Sequence, residues 1–209
     1  IGVGFRNASG GVNPVDVTLY GGHTAKQLSA GGFHNCAILD DGSVACWGYN
    51  QAGTLGDGTY DDRYVPSPTL GFTAGLDAVL LSSGYYHTCA LLSDDSISCW
   101  GSNEFGQIGN GEVDGNLGVS TPYSIPEFGP GSNASLVRAG GHATCAVTTD
   151  GELYCWGYKA QKGVTGNNQH ISTPTHIPHP GTNVTDVSVG GYHTCALLEN
   201  GSVMCWGRN

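Results

Sequence analysis

The sequence predicts an all-β protein made of four copies of one unit. Three observations carry this. The 209 residues include 35 glycines and nine prolines, which suit many short strands joined by turns and exclude a helical bundle. Charged residues make up only 11% of the chain, too few for a disordered polyelectrolyte. The eight cysteines stand at 36, 46, 89, 99, 145, 155, 195 and 205, in pairs ten residues apart, with pair starts 53, 56 and 50 residues apart. A period of roughly fifty residues marks a repeat architecture.

The repeat is legible residue by residue. Gly31-Gly32-Phe33-His34-Asn35-Cys36-Ala37 recurs as Gly84-Tyr85-Tyr86-His87-Thr88-Cys89-Ala90. It returns as Gly140-Gly141-His142-Ala143-Thr144-Cys145-Ala146 and as Gly190-Gly191-Tyr192-His193-Thr194-Cys195-Ala196. Each copy closes on Cys-Trp-Gly, with the tryptophans at 47, 100, 156 and 206. A third block, Asn50-Gln51-Ala52-Gly53-Thr54-Leu55-Gly56-Asp57-Gly58, recurs from Asn103 to Gly111.

These motifs resemble those of the regulator of chromosome condensation repeat family, over essentially the whole chain. The resemblance implies a β-propeller of four-stranded blades, with four repeats here: a closed four-blade ring, or part of a seven-blade ring. The third copy departs, with Ala143 in the place of the repeat histidine and Lys159 where two copies have Asn.

Each copy reads as four strands. The first precedes the double glycine, the second carries the first Cys, and the third carries Cys-Trp-Gly. The fourth lies at the prolines, where an edge strand tolerates the missing donor. The repeats centre on residues 28–48, 79–101, 136–157 and 187–207 of a single domain, 1–209. A strand at residues 14–19 is expected to complete the last blade. The same edge otherwise accepts a strand from another copy and supports a filament. The chain opens at Ile1 without an initiator Met and is read as a processed or excerpted piece.

Between the cysteines of each pair sits a turn: Asp41-Gly42, Asp94-Asp95, Asp150-Gly151 and Asn200-Gly201. A three-residue loop with Gly42 in the left-handed position sets Leu39 against Ser43 and Cys36 opposite Cys46. That is a non-hydrogen-bonded pair, where side chains approach most closely. Four hairpin disulfides are expected: 36–46, 89–99, 145–155 and 195–205. Zinc would favour a C-x₂₋₄-C spacing instead. Disulfides imply an oxidising, extracellular or cell-surface setting. The sequons at Asn7, Asn133, Asn183 and Asn200 agree with it as glycosylation sites. In this register Cys36, Ile38, Val44 and Cys46 line one face and Ala37, Leu39, Ala45 and Trp47 the other, as a blade buried on both sides requires.

No catalytic motif is present: no G-x-S-x-G, no H-E-x-x-H and no phosphate loop. His34, His87 and His193 could ring a metal near the axis, but the expectation is a structural histidine bonding the backbone of a neighbouring strand. His170, His176 and His179 could chelate weakly, but read as exposed polar residues on a loop and edge strand. Asp57, Asp61 and Asp62, and Glu112 with Asp114, read as a solvated acidic rim, without a calcium-loop pattern. The net charge of −10, with seven Lys and Arg, argues against nucleic acid and anionic membrane. No segment is apolar enough to span a bilayer as a helix.

The family's founding member is a nuclear nucleotide-exchange factor. The resemblance here runs more to extracellular propellers, receptor ectodomains and a secreted β-lactamase inhibitor. The expected function is a non-catalytic interaction or scaffold module, binding protein through rim loops and without a cofactor. The alternative is a metal-binding protein or enzyme with a site on the axis or rim.

Overall fold

A computed structural model describes residues 16–72, 75–115, 117–125, 128, 133–158 and 170–208. Four antiparallel sheets follow one another along the chain. Blade 1 holds β1 (Ala25–Ala30), β2 (His34–Leu39), β3 (Val44–Gly48) and β4 (Arg63–Pro68). Blade 2 holds β5 (Ala78–Ser83), β6 (His87–Leu92), β7 (Ile97–Gly101) and β8 (Val119–Ser124). Blade 3 holds β9 (Ala134–Gly140), β10 (Ala143–Thr148), β11 (Leu153–Gly157) and β12 (Ile171–His176). Blade 4 holds β13 (Val184–Val189), β14 (His193–Leu198) and β15 (Val203–Gly207). The strands are laid down in order, each beside its predecessor, which places the proline-bearing β4, β8 and β12 at an edge.

The central hairpins have the register that a three-residue loop dictates. Leu39 N donates to Ser43 O, and Cys36 lies opposite Cys46, as do Cys89 and Cys99, Cys145 and Cys155, and Cys195 and Cys205. All four pairs are disulfide-bonded, and no described cysteine is free. The left-handed turn position is glycine in three blades and Asp95, at φ 65°, in the second.

Blade packing follows from the two apolar faces. Cys36, Ile38, Val44 and Cys46 of blade 1 form one core with Leu81, Ala90, Leu92 and Trp100 of blade 2. The same arrangement joins blade 2 to blade 3 through Cys89, Leu91, Ile97 and Cys99 against Val137, Ala146 and Trp156. Cys145, Val147, Leu153 and Cys155 meet Val187, Ala196 and Leu198 at the third interface. Trp100 and Trp156 are fully buried, and each indole N–H donates to a carbonyl in the preceding blade's loop, Thr54 O at 3.0 Å and Gln107 O at 2.9 Å. Trp100 and Trp156 are therefore interblade core, Trp206 packs at the edge of the last interface, and Trp47 is buried on the outer face of blade 1 beside Leu19 and Tyr20.

Two expectations concern the ends of the repeat array. Of the strand expected at 14–19, residues 14 and 15 lie outside the described residues, and 16–19 form no ladder; among the described residues the last sheet has three strands. Leu19 instead packs on blade 1, against Ala37, Leu39, Ala45 and Trp47. Among the described residues no core joins blade 4 to blade 1, and Leu197 and Val203 on the outer face of blade 4 are 41% and 61% exposed.

Candidate functional site

One end of every central hairpin faces the same way. In blade 1 that end is where β2 begins and β3 stops, so Phe33 and Tyr49 emerge side by side. Gly48 turns the chain there at φ 114°, where a side chain would strike the Phe33 carbonyl, and Tyr49 N donates to Phe33 O at 2.9 Å. The equivalent backbone bonds run from Ser102 to Tyr86, Tyr158 to His142 and Arg208 to Tyr192. Each blade thus presents one or two ring or cationic side chains on a common rim.

These side chains join across all three interblade seams. Phe33 stacks on Tyr86 at 5.1 Å between ring centroids, and Tyr49 meets Tyr86 edge-on at 5.5 Å. Tyr86 lies 6.4 Å from His142, which meets Phe105 at 4.7 Å. Phe105 reaches Tyr158, Tyr158 reaches Tyr192 at 6.0 Å, and the Arg208 guanidinium lies 6.0 Å from the Tyr192 ring centre. Offset and edge-to-face pairs of this kind contribute roughly 0.5–1.5 kcal/mol each beyond their buried area, which preorganises the rim. Phe33 and Tyr192 remain 58% and 42% exposed, an unusual cost for a surface with no partner.

The rim is also acidic at its flanks. A pocket between blades 1 and 2 is lined by Tyr49, Gln51, Tyr86, Glu104 and Asp114. Burial, with Tyr86 and Asp62 nearby, raises the Tyr49 hydroxyl above its ordinary range. Burial also lowers His142, against the pull of Glu104, so that its ring is neutral near pH 7. Aromatic faces beside carboxylates suit a cationic side chain.

Other residues singled out in the sequence have structural partners. His34 Nε2 lies 2.6 Å from Thr88 Oγ1, and His87 Nε2 lies 3.0 Å from Thr144 Oγ1, each on the next blade. Each imidazole thus meets a threonine hydroxyl of the next blade, His87 the Ala143 backbone as well, and the two are split between separate interfaces. Thr144 donates its own proton to Gln107 O, so His87 Nε2 is the donor in that pair, and burial keeps the ring neutral. His193, on the last blade, is exposed. Ala143 breaks the series at the seam between blades 3 and 4.

In the acidic loops Asp57 is buried, while Asp61 and Glu112 are exposed. Asn50 is fully buried; its Oδ1 accepts from Leu55 N, and its Nδ2 donates to Asp57 Oδ1 and Thr59 O. Arg63 pairs with Asp57 at 2.8 Å, and Asp62 accepts from Asn50 N. Asn103 repeats this pattern with Ile108, Asn110 and Glu112. Among the described residues, neither Asp57, Asp61 and Asp62 nor Glu112 and Asp114 form a ligand cluster. Of the sequons, Asn7 lies outside the described residues, and Asn133, Asn183 and Asn200 are exposed.

His170 joins the rim, 4.9 Å from Phe105. His176 and His179 depart from the expectation of separate, exposed polar residues. The His179 side chain is only 6% exposed, and both rings converge on Glu152. The pocket at the base of the last turn of blade 3 brings them together across 24 or more residues of sequence, a proximity that spacing alone does not reveal. The rim was missed for a different reason. Its signal is the ring-bearing residue just before the repeat-histidine position, Phe33, Tyr86, His142 and Tyr192, visible in the aligned copies but without meaning until the hairpin ends share a face.

The comparisons with known proteins agree with this architecture. The model of the regulator of chromosome condensation (RCC1) repeat matches residues 25–54, 78–107, 135–159 and 184–209, and a second model of the same repeat matches 41–91. The ultraviolet-B receptor UVR8 of Arabidopsis thaliana is 31% identical over 177 residues, covering 84% of this chain and 39% of that protein. Among solved structures, Prp20p of Saccharomyces cerevisiae, described with its binding to Gsp1p and histones, superposes with a TM-score of 0.80 at 24% identity, over 91% of this chain and 47% of that one. Human WBSCR16 superposes at 0.79 and 24% identity, over 88% and 48%. The chain spans less than half the length of these relatives. With four matched repeats, the blade order and the interblade tryptophans, the chain belongs to the regulator of chromosome condensation (RCC1) repeat family.

Proposed function

We propose that this chain is a non-catalytic interaction module of an oxidising, extracellular compartment, binding a protein partner through its aromatic rim. The observation that carries this is the continuous row of rings from Phe33 to Tyr192, which spans four blades and three seams and stays partly exposed. Tyrosine and phenylalanine held rigid by their neighbours lose little entropy on binding and dominate interface energies. With Glu104 and Asp114 beside them and a net charge of −10, they favour a partner presenting Arg or Lys. Protein binding is also what is described for Prp20p. The four disulfides support the oxidising setting, in which exposed Asn133, Asn183 and Asn200 are glycan acceptors. The open face of blade 4 is a second surface, suited to further blades or another copy.

A photo-crosslinking residue at position 33 on the rim, compared with one at Val79 near the opposite end, tests the reading. Incubated with the extracellular protein fraction of the source, position 33 should give discrete crosslinks that excess unlabelled protein competes away. The Phe33→Ser, Tyr192→Ser variant, folded by circular dichroism, should fail to compete. Equal competition by that variant, or equal crosslinking from position 79, refutes it.

A further inference from the structure

The hairpin turn of blade 3 differs chemically from its three counterparts. After the left-handed turn residue the other blades carry Ser43, Ser96 and Ser202. Each serine hydroxyl donates to the residue two before it, Asp41, Asp94 or Asn200, at 2.6–2.7 Å. Blade 3 has Glu152 there. Its backbone N–H bonds Thr148 Oγ1, and its carboxylate projects from the turn. Glu152 Oε2 lies 2.5 Å from His176 Nε2, at the end of β12. His176 pairs across the ladder with Tyr154, a position held by Pro68 in blade 1 and Ser124 in blade 2. His179 follows, two residues after Ile177, where blade 1 has Gly71 two residues after Thr69; Ile177 and Thr69 make the same backbone bond, to Leu153 O and Val44 O. All three departures from the repeat thus fall at one spot.

His179 supplies an independent sign. Its side chain is 6% exposed, neither ring nitrogen has a hydrogen-bond partner, and Nε2 stands 3.6 Å from Glu152 Oε2. A buried imidazole with both nitrogens idle is unfavourable unless something else meets it. The ligand atoms of Glu152, His176 and His179 all lie within 4.8 Å of one another. Two imidazole nitrogens and one carboxylate oxygen form a donor set suited to zinc and its neighbours in the transition series, and unlike the all-oxygen sets of calcium and magnesium. Pro178, Gly181, Thr182 and Asn183 line the opening that would admit the ion.

We propose that Glu152, His176 and His179 form a binding site for a divalent transition-metal ion, with zinc the preferred metal and at least one position open to water or to a donor from outside. The site lies at the turn end of the hairpin, opposite the aromatic rim, and is independent of it. The ion ties the β10–β11 turn to the connection entering β13, and so blade 3 to blade 4. A second group, His23, Asp40 and Asp41, also clusters, but its members are already engaged: Asp40 with Thr24 and Asp41 with Ser43. It serves as the control.

The test uses the untagged chain with its disulfides intact, titrated with zinc by calorimetry and with cobalt by visible absorption. One equivalent should bind and raise the melting temperature. Glu152→Ser and His176→Ser, which install residues that other blades carry at those positions, and His179→Gly should each weaken binding at least tenfold. His23→Ala should leave it unchanged. Should His179→Gly fail to fold, His176→Ser, at an exposed position, retains the test. Absence of saturable binding at millimolar zinc, unchanged affinity in His176→Ser, or loss in His23→Ala overturns the proposal.

Discussion

Lowering the pH from 7 to 5 should destabilise this protein at its interblade seams. His34 and His87 are buried between blades, and burial holds their folded pKa values down to about 4 and about 3, against 6.5 for a free imidazole. For His87, the neighbouring imidazoles of His142 and His34 lower it further. Both rings stay neutral in the fold while the unfolded chain takes up protons, so the unfolded state binds more protons below pH 6.5. Stability is then complete above pH 6.5 and falls as the pH drops towards the folded values. One pKa unit corresponds to about 1.4 kcal/mol, so going from pH 7 to 5 removes about 2 kcal/mol per ring and about 4 kcal/mol for both. That is a large part of the roughly 5–15 kcal/mol typical of a domain. His142, also lowered by burial, acts in the same direction. His23, raised chiefly by its hydrogen bond to Asp40, acts oppositely on an exposed ring. The assay is urea unfolding followed by tryptophan fluorescence at constant ionic strength, for the native chain and for His34→Gln with His87→Gln. The double variant should be less stable at pH 7 but lose far less between pH 7 and 5. An unchanged pH dependence in the variant, or none in the native chain, refutes the argument.

Four further outcomes follow from the same packing. Trp100→Phe removes the indole donor to Thr54 O and leaves a small void, and should cost roughly 2–3 kcal/mol by denaturant unfolding. Asn103→Ala leaves Ile108 N without its acceptor inside a buried loop and should cost roughly 2–4 kcal/mol, with the β7–β8 connection becoming the first protease-sensitive segment. Asp95→Gly relieves a side chain at φ 65° and should stabilise by about 1 kcal/mol in thermal melts, less what the Asn133 contact contributes. Under limiting reductant, alkylation and mass spectrometry should label Cys195 and Cys205 first, since Cys205 is exposed and the six cysteines of blades 1–3 are inaccessible.

Much of the fold was written locally. A ten-residue cysteine spacing around an Asp-Gly turn leaves one hairpin register that sets the sulfurs face to face. The period-two alternation of apolar residues then makes both faces of the sheet sticky, so blades must stack. Glycine and proline placed the turns and the edge strands, and the repeat carried these arguments to all four copies. Local pattern could not determine what lies across a seam. The partner of His34 is Thr88, 54 residues away, and nothing in either motif names it. The aromatic rim exists only because four hairpin ends share one face, which is a property of blade stacking and not of any strand. Glu152, His176 and His179 illustrate the same limit more sharply. Glu152 is an unremarkable polar residue in sequence, and His176 and His179 read as weak chelators at most, on an exposed Pro-rich run. Tertiary packing alone turns one ring inward, removes water from it and brings a carboxylate beside it. Sequence patterns encode backbone geometry and which faces avoid water, both of which act over a few residues; convergence of side chains is set by how whole sheets dock.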